Sequence, residues 1–148
     1  MLTVTLKSLF ERDLKKLRKE IEAYKTEKNI WRIDKDITNS AGNLCLHIIG
    51  NLNWFIGAQL GNTGYIRHRD LEFSSTNIPK DNLLMEIDRT RSMLENTLDK
   101  ITASQLEQEY PILVFEQKSS TQYFLVHLTT HLTYHLGQIN YHRRLLDE

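Results

Sequence analysis

Four of the six histidines stand at positions 127, 131, 135 and 142. A helix turns through about 100° per residue, so each four-residue step moves a side chain only ~40° around the axis. His127, His131 and His135 would therefore form one slanting stripe. Gln138 and His142 fall in the same sector, and Leu125, Leu132 and Leu136 occupy the next, which sets the stripe along the edge of a buried face. Two imidazoles four residues apart can grip one metal ion from consecutive turns. A metalloprotease is excluded, because Leu132 stands where the general-base glutamate would be. Di-iron carboxylate chemistry is disfavoured, since no glutamate lies three residues before any histidine in these helices. A third ligand must come from elsewhere. His47, the sole histidine of an otherwise apolar stretch, shares a helical face with Asn43, Asn51 and Trp54, polar enough to line a pocket. The competing reading makes His47 a hydrogen-bonded core residue and the later histidines a solvated edge. Cys45 falls about 160° from His47 on the helical wheel and reads as core, not as ligand or nucleophile.

These side chains need helices to carry them, and four long ones are predicted. Leu6, Phe10, Leu14, Leu17, Ile21 and Tyr24 recur at three- and four-residue steps opposite Lys15, Lys16, Arg18 and Lys19. The second helix runs from a cap at Asn39 or Ser40 to Gly61, where Asn62 helps supply a left-handed stop. It is apolar nearly all round and should be buried. The third begins near Pro79 and repeats Leu83, Ile87, Leu94, Leu98 and Ile101 against Asp88, Arg91, Glu95 and Asp99. The fourth opens with Ser119 as cap, Gln122 reaching back, and continues to the C-terminus. Between the second and third, Gly61 to Ile78 is too long for a hairpin and long enough to cross the end of a bundle. The expected fold is all-α, a four-helix bundle running up-down-down-up with this long crossover. Glu107 to Lys118, holding Tyr110, Pro111, Val114 and Phe115, reads as an irregular piece tucked against it.

At 148 residues, one domain over 1–148 is expected. Lys plus Arg balance Asp plus Glu at 19 each, leaving no global field to attract a phosphate backbone or an anionic membrane. No nucleic-acid or membrane partner is expected. Lys7, Glu11 and Arg12 interrupt the apolar stretch a signal peptide needs, and one cysteine makes no internal disulfide, so a cytoplasmic location is expected.

Three segments resemble the DinB-like (YfiT-like) superfamily of metal-dependent four-helix-bundle proteins. They are Asn39 to Gly61 around Leu44-Cys45-Leu46-His47-Ile48-Ile49-Gly50-Asn51-Leu52; Gly64 to Phe73; and His131 to Leu145, where His135-Leu136-Gly137-Gln138 is similar to a terminal-helix signature of histidine, any residue, glycine and glutamine. The resemblance implies His47, His131 and His135 as ligands, a bundle with a long crossover, and a homodimer. It leaves His127 outside the triad, lining the pocket or hydrogen-bonded elsewhere.

Three neutral imidazoles leave an ion with open positions, the arrangement that activates water or a thiol. Imidazole suits zinc, nickel, copper and iron; zinc or nickel is the expected ion. Characterised proteins that the chain resembles include enzymes joining low-molecular-weight thiols to electrophiles, which implies a thiol S-transferase-like activity on a small-molecule substrate, with the thiol as cosubstrate. The rivals are a metal-dependent hydrolase and a non-catalytic, metal-stabilised dimeric scaffold or ligand binder. Gln138 is a candidate donor behind the ligands. Trp54 and Tyr134 either line the pocket or belong to the core. Arg67 and Arg69, with Asp70 and Glu72, either present a guanidinium to an anionic substrate or form ion pairs that fix the crossover. Gly137 reads as a point of close helix contact.

Overall fold

Leu6, Phe10, Leu14, Leu17 and Ile21 are all buried on one face of α1 (Leu2–Glu22), as their spacing requires, and Tyr24 stays buried just beyond the helix end. The computed structural model describes residues 1–148. It is all-helical, and its only β pairing is an isolated bridge between Glu109 and Ser120. A 3-10 turn (Glu27–Trp31) leads to α2 (Ala41–Leu52), which starts where the Ser40 hydroxyl accepts the Asn43 N–H at 3.1 Å. α2 continues through a π-helical stretch (Asn53–Ala58) and a last turn (Gln59–Gly61), ending at Asn62 in the left-handed conformation (φ 49°, ψ 38°).

The crossover is partly helical, with α3 (Arg69–Ser74) in its middle. α4 (Lys80–Leu98) follows Pro79, and α5 (Ala103–Glu107) opens with a capping box between Thr102 and Gln105. α6 (Thr121–Leu146) is capped by Ser120, whose hydroxyl accepts the Tyr123 N–H, and not by Ser119. The Ser119 carbonyl accepts the Tyr110 N–H at 2.9 Å, and the Thr121 N–H donates to Gln108, so the chain is still extended at Ser119.

α1 packs on α4 and α6, and α2 packs on the same two helices. Lys7 meets Asp99 and Arg18 meets Asp88, while Asp13 meets Thr133 and Glu20 meets Arg143. On the other side Asn53 bonds Thr90, and a Cβ on Gly61 would lie 2.5 Å from the Thr97 hydroxyl. The Glu107 to Lys118 segment is held down by Tyr110, whose ring packs at a tilt against Phe124 and whose hydroxyl donates to the Phe55 carbonyl. No helix is long and apolar enough to cross a membrane.

Asp13 bolts α1 to α6. Arg12 Nε lies 2.8 Å from one carboxylate oxygen, and the Thr133 hydroxyl donates to the other at 2.6 Å. Burial alone would raise this carboxyl, but these hydrogen bonds outweigh it and hold it below the usual range. A depressed folded-state value means that its stabilisation is present above the unfolded value of about 3.9 and is lost as pH falls through the folded one. The stability difference between the wild type and Asp13→Asn, from urea unfolding, should hold constant above about pH 5 and shrink toward zero below ~4. A difference independent of pH would contradict this role.

Candidate metal centre

His47 projects from the middle of α2, while His131 and His135 project from consecutive turns of α6. Their ligand nitrogens all lie within 4.8 Å of one another. His131 Nε2 is 3.2 Å from His47 Nε2 and 3.1 Å from His135 Nε2. Nitrogens about 2.0–2.1 Å from a tetrahedral ion stand roughly 3.3–3.4 Å apart, so the cluster has nearly the span of a coordination sphere.

The far side of two rings is fixed. His47 Nδ1 is 3.0 Å from Glu72 Oε1, and His135 Nδ1 is 2.7 Å from Gln138 Oε1. A carboxylate and an amide oxygen only accept, so each Nδ1 carries a proton and each ring is oriented to turn an Nε2 lone pair inward as a ligand. His131 can place at most one N–H between two such lone pairs. At least one pair of ring nitrogens therefore faces lone pair to lone pair at hydrogen-bond distance, a repulsion that a cation at the centre would convert into ligation. The residues fit a divalent ion. Burial first, then the neighbouring His135 and His47, push His131 down to about 3, which keeps its ring neutral. Burial likewise lowers His135, against the opposing hydrogen bond of Gln138.

Glu72 is itself tightly held. Arg67 grips it with Nε at 2.8 Å from Oε2 and Nη2 at 2.9 Å from Oε1, and its guanidinium lies over the Phe55 ring. Burial would raise the Glu72 carboxyl, yet the bonds from His47 and Arg67 prevail and keep it below the usual range. Asn43 fixes the backbone around it, donating to the carbonyls of Glu72 at 3.0 Å and Ser75 at 2.7 Å. The carboxylate packs directly on Gly50, where a Cβ would lie 2.6 Å from its Cδ. Sequence reasoning placed Glu72 only among the loop charges; the signal available was a glycine one turn from His47 on a buried helix.

The other expected site residues are scattered. The His127 ring stacks on Phe124 and meets Phe115 edge-on, with its centroid 6.3 Å from that of His131. Asn51, one turn beyond His47, is buried with Oδ1 unpaired. Trp54 is half-buried in the π-helical stretch. Tyr134 is exposed, its ring edge-on to His135 at 5.3 Å. Arg69 lies over the Phe73 ring and takes no part in holding Glu72. Gly137 is not a helix contact, because a Cβ there would meet nothing within 4 Å.

Gln138→Leu removes the acceptor that orients His135 and should weaken divalent-ion binding about 10–100-fold with little change in fold. Titration calorimetry beside circular dichroism would check it, and unchanged affinity would show that the contact is idle.

Fold and cluster together define an all-helical protein with three imidazoles converging from two helices. The chain belongs to the DUF1572 family, described as a protein of unknown function, whose model matches residues 3–148. No curated protein matches the sequence. The crystal structure of a conserved protein of locus from Enterococcus faecalis is similar in fold, with a TM-score of 0.76, 18% identity, and coverage of 97% of this chain and 96% of that one.

Proposed function

We propose that this chain is a DinB-like, divalent-metal-dependent enzyme of the cytoplasm that activates a low-molecular-weight thiol for attack on an electrophile. The observation that carries the reading is the convergence of three Nε2 atoms, two of them on rings whose opposite nitrogen is committed to Glu72 or Gln138. The bundle topology proposed with it is up-down-down-up with α3 in the crossover. It is supported by the pairs Lys7–Asp99 and Arg18–Asp88 running in opposite senses, and by Asp13–Thr133 and Glu20–Arg143 rising together.

When bound, the ion, zinc or nickel by ligand type, would supply Lewis acidity that favours ionisation of a coordinating thiol. The protein's own residues supply the rest. Glu72 and Gln138 fix the tautomers and orientations of His47 and His135, and Arg67 keeps Glu72 ionised and in place. His131 and His135 are only partly buried, which leaves an approach for substrate. A thiol fits better than water as nucleophile on two grounds. Both Glu72 oxygens are occupied by His47 and Arg67, so this carboxylate is not free to act as the general base that hydrolysis would use. Cys45 is buried, with burial pushing its thiol up to about 12, so the reacting thiol must arrive as a cosubstrate.

Elemental analysis of protein purified without an affinity tag should find about one divalent ion per three-histidine site. A screen of electrophiles against bacillithiol, mycothiol and glutathione should then reveal conjugation that a chelator abolishes while helicity persists. If chelation lowers the melting temperature and no thiol or ester substrate turns over, the ion ties α2 to α6 in a scaffold and the enzymatic reading fails.

A further inference from the structure

Asn51 is 6% exposed, and its Oδ1 is wholly buried without a partner. An unpaired buried acceptor is costly, so its presence one turn from His47 calls for a donor from outside the chain. The surrounding side chains form a closed ring. Centroids of His47 and His131 stand 5.1 Å apart, His131 and His127 6.3 Å, His127 and Phe124 5.8 Å, and Phe124 and Phe55 5.1 Å. Arg67 completes the circuit, with its guanidinium carbon 5.6 Å from the Phe55 centroid and Nη2 3.4 Å from His47 Nδ1. His47, Asn51 and Phe55 follow one another at four-residue steps along α2 and its continuation, which puts Asn51 on the α2 side of this ring, midway between the other two.

This ring has the makings of a ligand site. Phe55, His127 and His131 are only half-buried, so it opens to solvent. The wide π-helical turn that begins just after Asn51 carries Phe55, and such turns occur frequently at functional sites. Arg67 uses Nε and Nη2 on Glu72, which leaves the N–H groups of Nη1 for another acceptor. A ligand group that fits must therefore donate to Asn51, accept from Arg67 and present a flat face to aromatic walls. A cationic donor is disfavoured beside the guanidinium, so the group is neutral. An amide meets every condition. Side chains one turn apart on a helix have Cβ atoms about 5–6 Å apart, the reach of roughly two carbon atoms between a sulfur held at the histidine cluster and the amide nitrogen.

We infer that this ring is the subsite for an acylamide group of the thiol cosubstrate, with Asn51 accepting its N–H and Arg67 donating to its carbonyl. The inference rests on the thiol reading proposed above and adds the class of thiol: one whose nitrogen, two carbons from sulfur, is acylated and not a free amine.

The test is a matched pair of thiols, N-acetylcysteamine and 2-mercaptoethyl acetate, in which an ester oxygen replaces the amide N–H. Each is titrated by calorimetry into the zinc-loaded full chain. The wild type should bind the amide at least about fivefold more tightly than the ester, because the ester leaves the Asn51 acceptor unpaired. Asn51→Leu should still bind zinc and should melt no lower than the wild type, since it removes an orphaned polar group. It should lose the preference for the amide while its affinity for the ester changes little. Equal affinities in the wild type, or a preference that survives Asn51→Leu, overturn the inference and leave the thiol reading standing. A variant that melts well below the wild type makes Asn51 a structural residue and overturns it as well. If neither thiol binds the zinc-loaded protein, the thiol reading itself fails and the inference falls with it.

Discussion

His131→Ala is expected to abolish divalent-ion binding, with a loss of affinity of at least about a hundredfold, beyond the 10–100-fold typical of residues that merely orient a ligand. His131 is the middle member of the cluster, with its Nε2 3.2 Å from one partner nitrogen and 3.1 Å from the other. Without it, His47 and His135 remain on separate helices with no nitrogen between them. The effect on stability distinguishes a site from a structural core. An ion at a hundred times its dissociation constant stabilises the wild type by about 2.7 kcal/mol, and that increment should vanish in the variant. In chelator, the variant escapes the lone-pair repulsion while losing some packing, so its unfolding should stay close to that of the metal-free wild type. Thermal melts of both proteins with and without zinc or nickel measure all four states. Equal responses of the two proteins to the ion would refute the proposed centre.

The histidine stripe was legible because helical periodicity is a local property; the four-residue spacing of His131 and His135 already implies one face. Their meeting with His47 was not derivable in that way, since it depends on how α2 packs against α6, and no spacing within either helix encodes it. Glu72 was hidden for the same reason. Its role rests on a crossover that folds back so that Asn43 can hold the carbonyls of Glu72 and Ser75, a contact spanning about thirty residues of chain. The π-helical stretch at Asn53–Ala58 left no mark in composition, because widening a helical turn changes which carbonyl accepts and not which residues are favoured. α5 did carry a signal, the Thr102 to Gln105 capping box, but a helix this short has too few residues to show periodicity. The cap shifted from Ser119 to Ser120 because backbone pairing with Tyr110 claims the preceding residue. Tyr134 and Gly137 show the limit from the other side, since sequence placed one near the pocket and the other in a helix contact, and only their exposure reveals a shared outward face.

Gly50→Ala should destabilise the protein and weaken the metal centre together, although it touches no ligand. On helix propensity alone the substitution would stabilise α2 by about 1 kcal/mol. Against that stands Glu72, whose carboxylate occupies the space a Cβ needs, with Cδ 2.6 Å from the ideal position. The carboxylate must withdraw, and it cannot do so cheaply. Asn43 pins its backbone, Arg67 holds both of its oxygens, and the pair is buried, with side-chain exposures of 11% and 7%. Separating a buried pair costs about 3–5 kcal/mol, because each charge is left without its partner. The clash therefore wins, with a net loss of roughly 2–4 kcal/mol after the propensity gain. The His47 ring would lose its acceptor at the same time, lowering ion affinity a further 10–100-fold. Glu72→Ala supplies the control. In the double variant Gly50→Ala with Glu72→Ala, no carboxylate remains to collide, so adding the alanine at position 50 should then stabilise by about 1 kcal/mol. A double-mutant cycle in urea reads this reversal of sign directly. If Gly50→Ala stabilises the wild-type background as well, Glu72 does not rest on Gly50, and its carboxylate does not brace His47 from that side.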